Sequence, residues 1–325
     1  MDCYQPSVSA VPPVLYAQPA DVPSDAYMAN WGILVLSFPL GLGVDASGVV
    51  DSVGSSVSKF TQGDHVCGCT RLGSPSYTTV AEYFLMDEQV TIPKPKNLDT
   101  VQAATLGVGA QTACLGLFDL LGIDLPGEGS NEKVGWVVVL GGASSVGKSA
   151  VQIAKASGYQ VIASCSSKSN ELVEGLGAET FDYKVDVDEQ VERVLDVTGG
   201  KIVGVFDAAA SDDPKVAKGL FGKGGDGVTK KFSTTNDWSG IQDFEGGKTM
   251  YVELGHIGRG GADELNKTLE KHIPVIVRLV EDGKLKTSEY EVVGNGGFED
   301  ALKAFEYQGS GKAGSNKVVV KVQNE

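Results

Sequence analysis

Between Trp136 and Ala210 the chain repeats one pattern: a short apolar run, a small-residue turn, then an amphipathic segment. GWVVVLGG leads into SVGKSAVQIAKASG, QVIASCS (160–166) into NELVEGLGA, ETFDY into EQVERVLDVTG, and IVGVFDAAA (202–210) continues the series. Continuous runs of β-branched residues suit strands buried on both faces, and the helices between them carry the chain back so that the strands lie parallel. This stretch predicts a doubly wound parallel α/β sheet. In its first helix Val146, Ala150, Val151 and Ala154 share a face, and Gly158 is the stop signal.

The turn GGASSVGKS (141–149) has two incompatible spellings. Counted from Gly142 it is G-x-x-x-x-G-K-S, a triphosphate loop in which Lys148 and Ser149 would serve phosphate and magnesium, with Asp207 as a metal-binding acid. Counted from Gly141 it is a dinucleotide fingerprint with Ser144 in place of the middle glycine. Ser is small enough for that position, and its hydroxyl can donate to phosphate. Both use a glycine turn and a helix N-terminus, so the decision lies elsewhere. Nothing in the sequence offers a residue to orient an attacking water, and Lys148 reads as a solvated helix residue. The end of the second strand decides. An NAD site places an acid there for the ribose hydroxyl, but no acid occurs from Ala156 to Asn170. Ser166-Ser167-Lys168-Ser169 stands there instead, and hydroxyls with an ammonium suit a 2′-phosphate, so the expected cofactor is NADP(H). Tyr183, with Lys184 beside it, follows the third strand and can add a contact.

The chain before this sheet has another texture. GVDASGVVDSV (43–53), HVCGCTRL, TTVAEYFLM and VTIPKPKNL read as short strands of a barrel or sandwich. VQAATLGVGAQTACLGLFDLLG then predicts two helices hinged around Gly107 and Gly109. Beyond the parallel sheet, residues 213–248 are Gly-rich and give no element. TMYVELGHIG reads as a strand and ELNKTLEKHIPVIVRLVEDGKL as one helix or a broken pair. EYEVVG, FEDALKAFEYQ and KVVVKV close the chain, the last with the N-terminal β region as its candidate partner.

Charge and composition exclude several classes. A net charge of -15 over 325 residues argues against nucleic-acid binding, which needs a basic face. No apolar run approaches the ~18 residues of a membrane span, and MDCYQPSVSAVPPVLY has no secretory pattern. The five cysteines have neither framework nor zinc spacing, so free thiols and a cytoplasmic location are expected. Asn266 heads a sequon inside an expected helix of an unexported chain and is set aside.

Taken together, LGVDASGVVDSVGSSVSKFTQGDHV, VAEYF, TACLGLF, GGASSVG, GLGAETFDY, GKLKTSEYEVVG and GKAGSNKVVVKV resemble the medium-chain dehydrogenase/reductases. The resemblance is to their zinc-free branch, the quinone oxidoreductases and the fungal trans-acting enoyl reductases that partner polyketide synthases, and runs from about Asp21 to Val322. It implies a GroES-like β-rich catalytic domain (1–106), a Rossmann domain (107–257) and a return to the catalytic domain (258–325). It also implies hydride transfer from NADPH, in a cleft between the domains, to an activated C=C of an enoyl thioester, enone or quinone. An acyl carrier is a further implied partner. Where zinc-dependent members carry Gly-His-Glu this chain has Gly43-Val44-Asp45, and with three histidines in all no catalytic zinc is expected. The family's N-P-x-D-x-K/Y element falls on Val22 to Tyr27, which makes Tyr27 the candidate donor to the substrate carbonyl. Thr112 falls on the residue beside the nicotinamide. Gly141, Ser144, Ser145, Val146 and Gly147 fall around the pyrophosphate, and Ser166, Lys168 and Tyr183 at the 2′-phosphate. Relatives begin with a pair of hairpins; the twenty residues here do not read as those strands, so either an abbreviated barrel or an incomplete chain start is expected. Two alternatives stay open: a zinc-free alcohol or ketone reductase, and a non-catalytic NADPH-binding member. The substrate pocket is expected to draw on loops 71–79 and 221–248.

Overall fold

The computed structural model describes residues 7–15, 24–128 and 134–322, with backbone alone at 7–15, Ser24, Ala26 and Tyr27. In chain order the elements begin with β1 (Ser7–Leu15), α1 (Ser24–Trp31), β2 (Asp45–Ser52), β3 (His65–Cys69), β4 (Tyr83–Leu85) and β5 (Ile92–Pro93). Then come α2 (Thr100–Ala103) and α3 (Gly107–Cys114), which a π-helical stretch, Leu115–Leu121, extends. The α/β series is β6 (Trp136–Leu140), α4 (Ser145–Ala156), β7 (Gln160–Cys165), α5 (Asn170–Gly175), β8 (Glu179–Asp182), α6 (Val187–Thr198) and β9 (Ile202–Asp207). It continues through α7 (Lys215–Lys223), β10 (Lys231–Thr234) and β11 (Lys248–Tyr251). The last elements are α8 (Asp263–Glu281), β12 (Tyr290–Val292), α9 (Glu299–Gly309) and β13 (Lys317–Val319). Two compact units result, divided at 111/112 and 253/254. Among the described residues no helix is long and apolar enough to cross a membrane.

The second unit (112–253) holds a six-stranded sheet in the order β11-β10-β9-β6-β7-β8, with every pair parallel. The chain runs outward from β6 through β7 to β8, then returns past β6 to β9, so the order reverses between β6 and β9. Val138, Ile162, Val205 and Phe232 are buried beneath the helices, where Val191, Val194 and Leu220 face them. Phe244 closes one end, edge-on to Phe221 at 5.2 Å and to Phe232 at 5.4 Å. The segment 213–248, which gave no pattern in the sequence, thus supplies α7, β10 and the Phe244 plug. Its strand is four residues long, too short to show a period.

In the first unit the sheet runs β12-β13-β1-β2-β3-β5, with β4 also on β1. β13 does return to the N-terminal region, pairing antiparallel with β1 at Val14↔Val319. The first twenty residues, which do not read as the relatives' pair of hairpins, supply one strand: β1 pairs with β2 from Ser7↔Ser52 to Val14↔Asp45. Pro12 is tolerated because the register shifts between Val11 and Pro13, so this residue without an N–H falls out of the ladder. α8 is one helix despite Pro274. A proline there costs about 3 kcal/mol, and the burial of Leu269, Ile273, Ile276, Leu279 and Val280 outweighs it. Of the two glycines read as a hinge, Gly107 is the first residue of α3; residues 104–106 make the break.

Three distant parts of the chain meet at Asp45. Its Oδ2 pairs with Lys317 Nζ at 2.7 Å, and its Oδ1 accepts the Val108 amide at 2.8 Å, near the start of α3. The two side chains are 0% and 1% exposed. A Cβ on Gly107 would overlap the Asp45 carboxylate and meet the Cys69 amide at 2.6 Å, so only glycine lets α3 approach this closely. Asp25, from α1, lies nearby and is wholly buried; its Oδ1 accepts the Gly43 amide at 2.6 Å, and its Oδ2 has no hydrogen-bond partner. Burial, with a smaller contribution from Asp45, pushes the Asp25 carboxyl up to about 7, against the Gly43 hydrogen bond and Lys317.

Removing Lys317 leaves Asp45 buried and uncompensated, so Lys317→Met is expected to destabilise the unit by roughly 3–5 kcal/mol. An unchanged urea midpoint would contradict this account of the pair. For Asp25 the native state holds a proton that the unfolded chain releases near 3.8, so its contribution to stability is complete below that value. It is lost as pH rises toward about 7. The melting temperature of the wild type should therefore fall between pH 5 and pH 8 relative to Asp25→Asn, and parallel curves for the two proteins would refute the assignment.

Candidate functional site

The reversal between β6 and β9 leaves a crevice at the carboxyl ends of the parallel strands, where α/β sheets bind ligands. β6 ends at Leu140, and Gly141 turns the chain at φ +82°, a backbone conformation that disfavours other residues. The Gly141 amide donates to Ser164 Oγ and the Gly142 amide to the Ser164 carbonyl, both at 2.8 Å, which ties the turn to β7. Ser144 caps α4: its Oγ accepts the Gly147 amide at 2.8 Å and donates to the Ala208 carbonyl at 3.0 Å. The Ser144 hydroxyl proton thus braces the turn against the end of β9 and does not point at a ligand, as the sequence had suggested. Gly147 likewise contributes room: a Cβ there would overlap the Gly141 carbonyl oxygen. Ser145 and Val146 form the first turn of α4, where amides have no acceptor within the helix and the dipole favours an anion.

Lys148 is corrected on one point. It is 3% exposed, one of a continuous run from Gly147 to Ala154 that is buried. Asp207, the acid that a triphosphate site would need, is fully buried and already hydrogen-bonded. Its Oδ2 accepts from the Ser211 amide at 2.9 Å and Thr234 Oγ1 at 3.0 Å; its Oδ1 accepts from the Ala209 amide at 3.0 Å. Burial raises its carboxyl and these hydrogen bonds oppose the rise. Asp207 is a loop anchor.

At the end of β7, Ser166 to Ser169 make a short 3₁₀ turn with the Ser166 and Ser169 hydroxyls 3.3 Å apart. Lys168 is exposed on that turn. The Tyr183 amide meets the Cys165 carbonyl at 3.4 Å, which sets the end of β8 beside it. Tyr183 is 48% exposed, with Lys184 Nζ 5.8 Å from its ring centroid. Ser166, Lys168 and Tyr183 are therefore brought to neighbouring strand ends. Sequence reasoning overlooked Asp182 between them, whose carboxylate accepts the Lys184 amide at 2.9 Å. It also overlooked Asn236, which holds the loop after β10. The Asn236 side chain donates to the Ala210 carbonyl at 3.2 Å and accepts the Ser239 amide at 3.0 Å. The signal for Asn236 was the T-T-N turn after an apolar strand, masked by the glycines around it. This turn presents Trp238, 52% exposed.

Thr112 lies on α3 at 5% exposure. Tyr27 lies on α1, and its side chain falls outside the described residues. The glycine turn and the helix start, with polar groups at the ends of β7 and β8, fit a nicotinamide dinucleotide.

A model of the alcohol dehydrogenase GroES-like domain matches residues 19–96. The trans-enoyl reductase TOXD of Cochliobolus carbonum is 35% identical over 191 residues, 56% of this chain and 63% of that protein. LovC of Aspergillus terreus, described as the enoyl reductase component of lovastatin nonaketide synthase, is 30% identical over 325 residues, 93% of this chain and 86% of that protein. Matches to three further curated relatives span 43% to 45% of their length. Among solved structures, an alcohol dehydrogenase superfamily protein of Novosphingobium aromaticivorans superposes with a TM-score of 0.78 at 22% identity, covering 98% of this chain and 92% of that one. With its GroES-like match, its parallel sheet and a relative aligned along most of both chains, this chain belongs to the medium-chain dehydrogenase/reductase superfamily, with fungal trans-acting enoyl reductases among its relatives.

Proposed function

We propose that this protein is a zinc-independent, NADPH-dependent reductase of an activated C=C, in an enoyl thioester, an enone or a quinone. The observation that carries the reading is the donor set Ser166, Lys168 and Tyr183 at the adjoining ends of β7 and β8, with a half-buried hydroxyl, an exposed ammonium, an exposed phenol and no acid on the β7 turn. The nicotinamide, when bound, supplies a hydride. Gly141 and the first turn of α4 hold the pyrophosphate through backbone amides and the helix dipole, and Ser166 and Lys168 hold the 2′-phosphate. Thr112 serves beside the nicotinamide. Tyr27 donates a hydrogen bond to the substrate carbonyl, where charge gathers as hydride adds to the β-carbon, and it or water returns the proton.

Val44 supports zinc independence, since it stands where zinc-dependent relatives have a histidine, and Asp45 beside it is engaged by Lys317 and Val108. Without a Lewis acid, alcohol oxidation is poorly served, whereas an enone's own carbonyl takes up the charge. The name of LovC, the enoyl reductase component of a nonaketide synthase, supports a polyketide synthase as the source of the substrate, with its acyl carrier as the partner.

Fluorescence titration should give NADPH at least tenfold tighter binding than NADH. Lys168→Glu should remove one charge-assisted contact and weaken NADPH by roughly ten- to hundredfold while sparing NADH. Equal affinity for the two cofactors in the wild type would defeat the cofactor assignment. In steady-state assays with NADPH, an enone should turn over and a simple ketone should not. Tyr27→Phe should lower kcat on the enone by about 10²-fold or more; an unaltered kcat would exclude Tyr27 as the donor.

A further inference from the structure

The first unit carries a cationic pair that the proposed reaction does not use. Arg71, just after β3, donates from Nε and Nη2 to the two oxygens of Asp87, at 2.7 and 2.5 Å, and stacks 4.5 Å from the Tyr77 ring centroid. Arg259, in the loop before α8, donates from Nη2 to the Leu72 carbonyl at 2.5 Å. That loop is held in place: Asn266 Oδ1 accepts the Gly258 amide at 2.8 Å, and Asn266 Nδ2 donates to the Arg259 carbonyl at 3.2 Å. Gly258, at φ +71°, lies directly on the Arg71–Asp87 pair, since a Cβ there would overlap the Asp87 carboxylate and come 3.2 Å from Arg71 Cγ. Two guanidiniums are thus brought together by two loops, one of them in the 71–79 region from which the pocket was expected.

Arg259 is the unbalanced member. Its Nε is buried and has no hydrogen-bond partner, and its one side-chain bond goes to a neutral carbonyl. Burial lowers its basicity first, and the Arg71 charge lowers it further, with no carboxylate opposing either. A guanidinium retained in a half-dry site beside a second one is unfavourable unless an anion joins it. An oxyanion meeting the accessible edge of Arg259 would compensate its charge and offset the repulsion, and guanidinium groups match carboxylate and phosphate alike. Against a net charge of -15 over the chain, two neighbouring guanidiniums make a local region that attracts an anion.

We propose that Arg259, with Arg71 beside it, binds an oxyanion, a carboxylate or a phosphate borne by the substrate or its carrier. That the anion belongs to a substrate rests on the function proposed above; the existence of the site does not. The test uses the full chain with NADP⁺ added to occupy the dinucleotide loop, and follows melting temperature and calorimetric titration. Probes are inorganic phosphate, sodium acetate, coenzyme A and, as a neutral control, pantetheine, all against sodium chloride at equal ionic strength.

Phosphate or acetate should raise the melting temperature of the wild type above the chloride control and leave Arg259→Gln unmoved. Coenzyme A should bind Arg259→Gln roughly tenfold more weakly. Stabilisation by phosphate and coenzyme A alone assigns the site to a phosphate; equal stabilisation by acetate assigns it to a carboxylate. If Arg259→Gln does not fold, Arg259→Lys replaces it and should weaken the bidentate contact without removing the charge. Equal binding by wild type and variant, or pantetheine binding as tightly as coenzyme A, overturns the proposal. Enone turnover and NADPH affinity are read separately, so the reaction can fail while the anion site stands, and the reverse.

Discussion

The first unit depends on a single buried carboxylate. Asp45 binds Lys317, 272 positions later in the chain, and the amide that opens α3. Lys317 begins β13, which in turn pairs with β1 and β12, so the last strand is held at both its backbone and its side chain. A charge taken out of water is tolerated only with a partner and further hydrogen bonds, and Asp45 has both. This requirement also explains Gly107, because any side chain there would occupy the space of the carboxylate. The sheet, the entry to α3 and the return of the C-terminus are parts of one arrangement.

In the second unit the corresponding constraint is steric. The turn after β6 is pressed between the ends of β7 and β9: Ser164 takes the Gly141 and Gly142 amides, and Ala208 takes the Ser144 hydroxyl. Gly141 lies so close to β9 that a Cβ would sit 2.9 Å from Ala209 Cβ. The turn is therefore shaped before any ligand arrives, and an anion at the start of α4 meets backbone amides that need no rearrangement. Asp207 and Asn236 do the same for the loops after β9 and β10, each through several short hydrogen bonds to backbone.

Much of this was legible in the residues. The α/β alternation, the parallel sheet and the glycine turn that follows β6 come from local pattern, because strands buried on both faces are continuously apolar and helices carry one apolar stripe. The N-terminal strand was not legible. Prolines at 12 and 13 argue against a strand wherever the ladder is regular, and only the bulge opposite β2 removes the objection. Lys148 was misread for a similar reason: a lysine in a helix is ordinarily solvated, and its burial depends on how the first turn of α4 meets the sheet. Asn236 carried only the masked T-T-N signal, and Arg259 carries none, since its partner Leu72 lies 187 positions away in sequence.

The sequence by itself determined the class of both sheets, the place of the glycine turn after β6 and the residues that end β7. These are short-range properties, set by hydrophobic period, glycine at positive φ and the residues that end a strand. Tertiary structure alone decided which charges would be buried together. Asp25, Asp45 and Lys317 meet in one desolvated cluster and Arg71 and Arg259 in a half-buried one, and in each case partners separated by tens to hundreds of residues are joined by strand pairing and loop closure. Electrostatic consequences depend on distance and on exclusion of water, and neither quantity is written in the order of the residues.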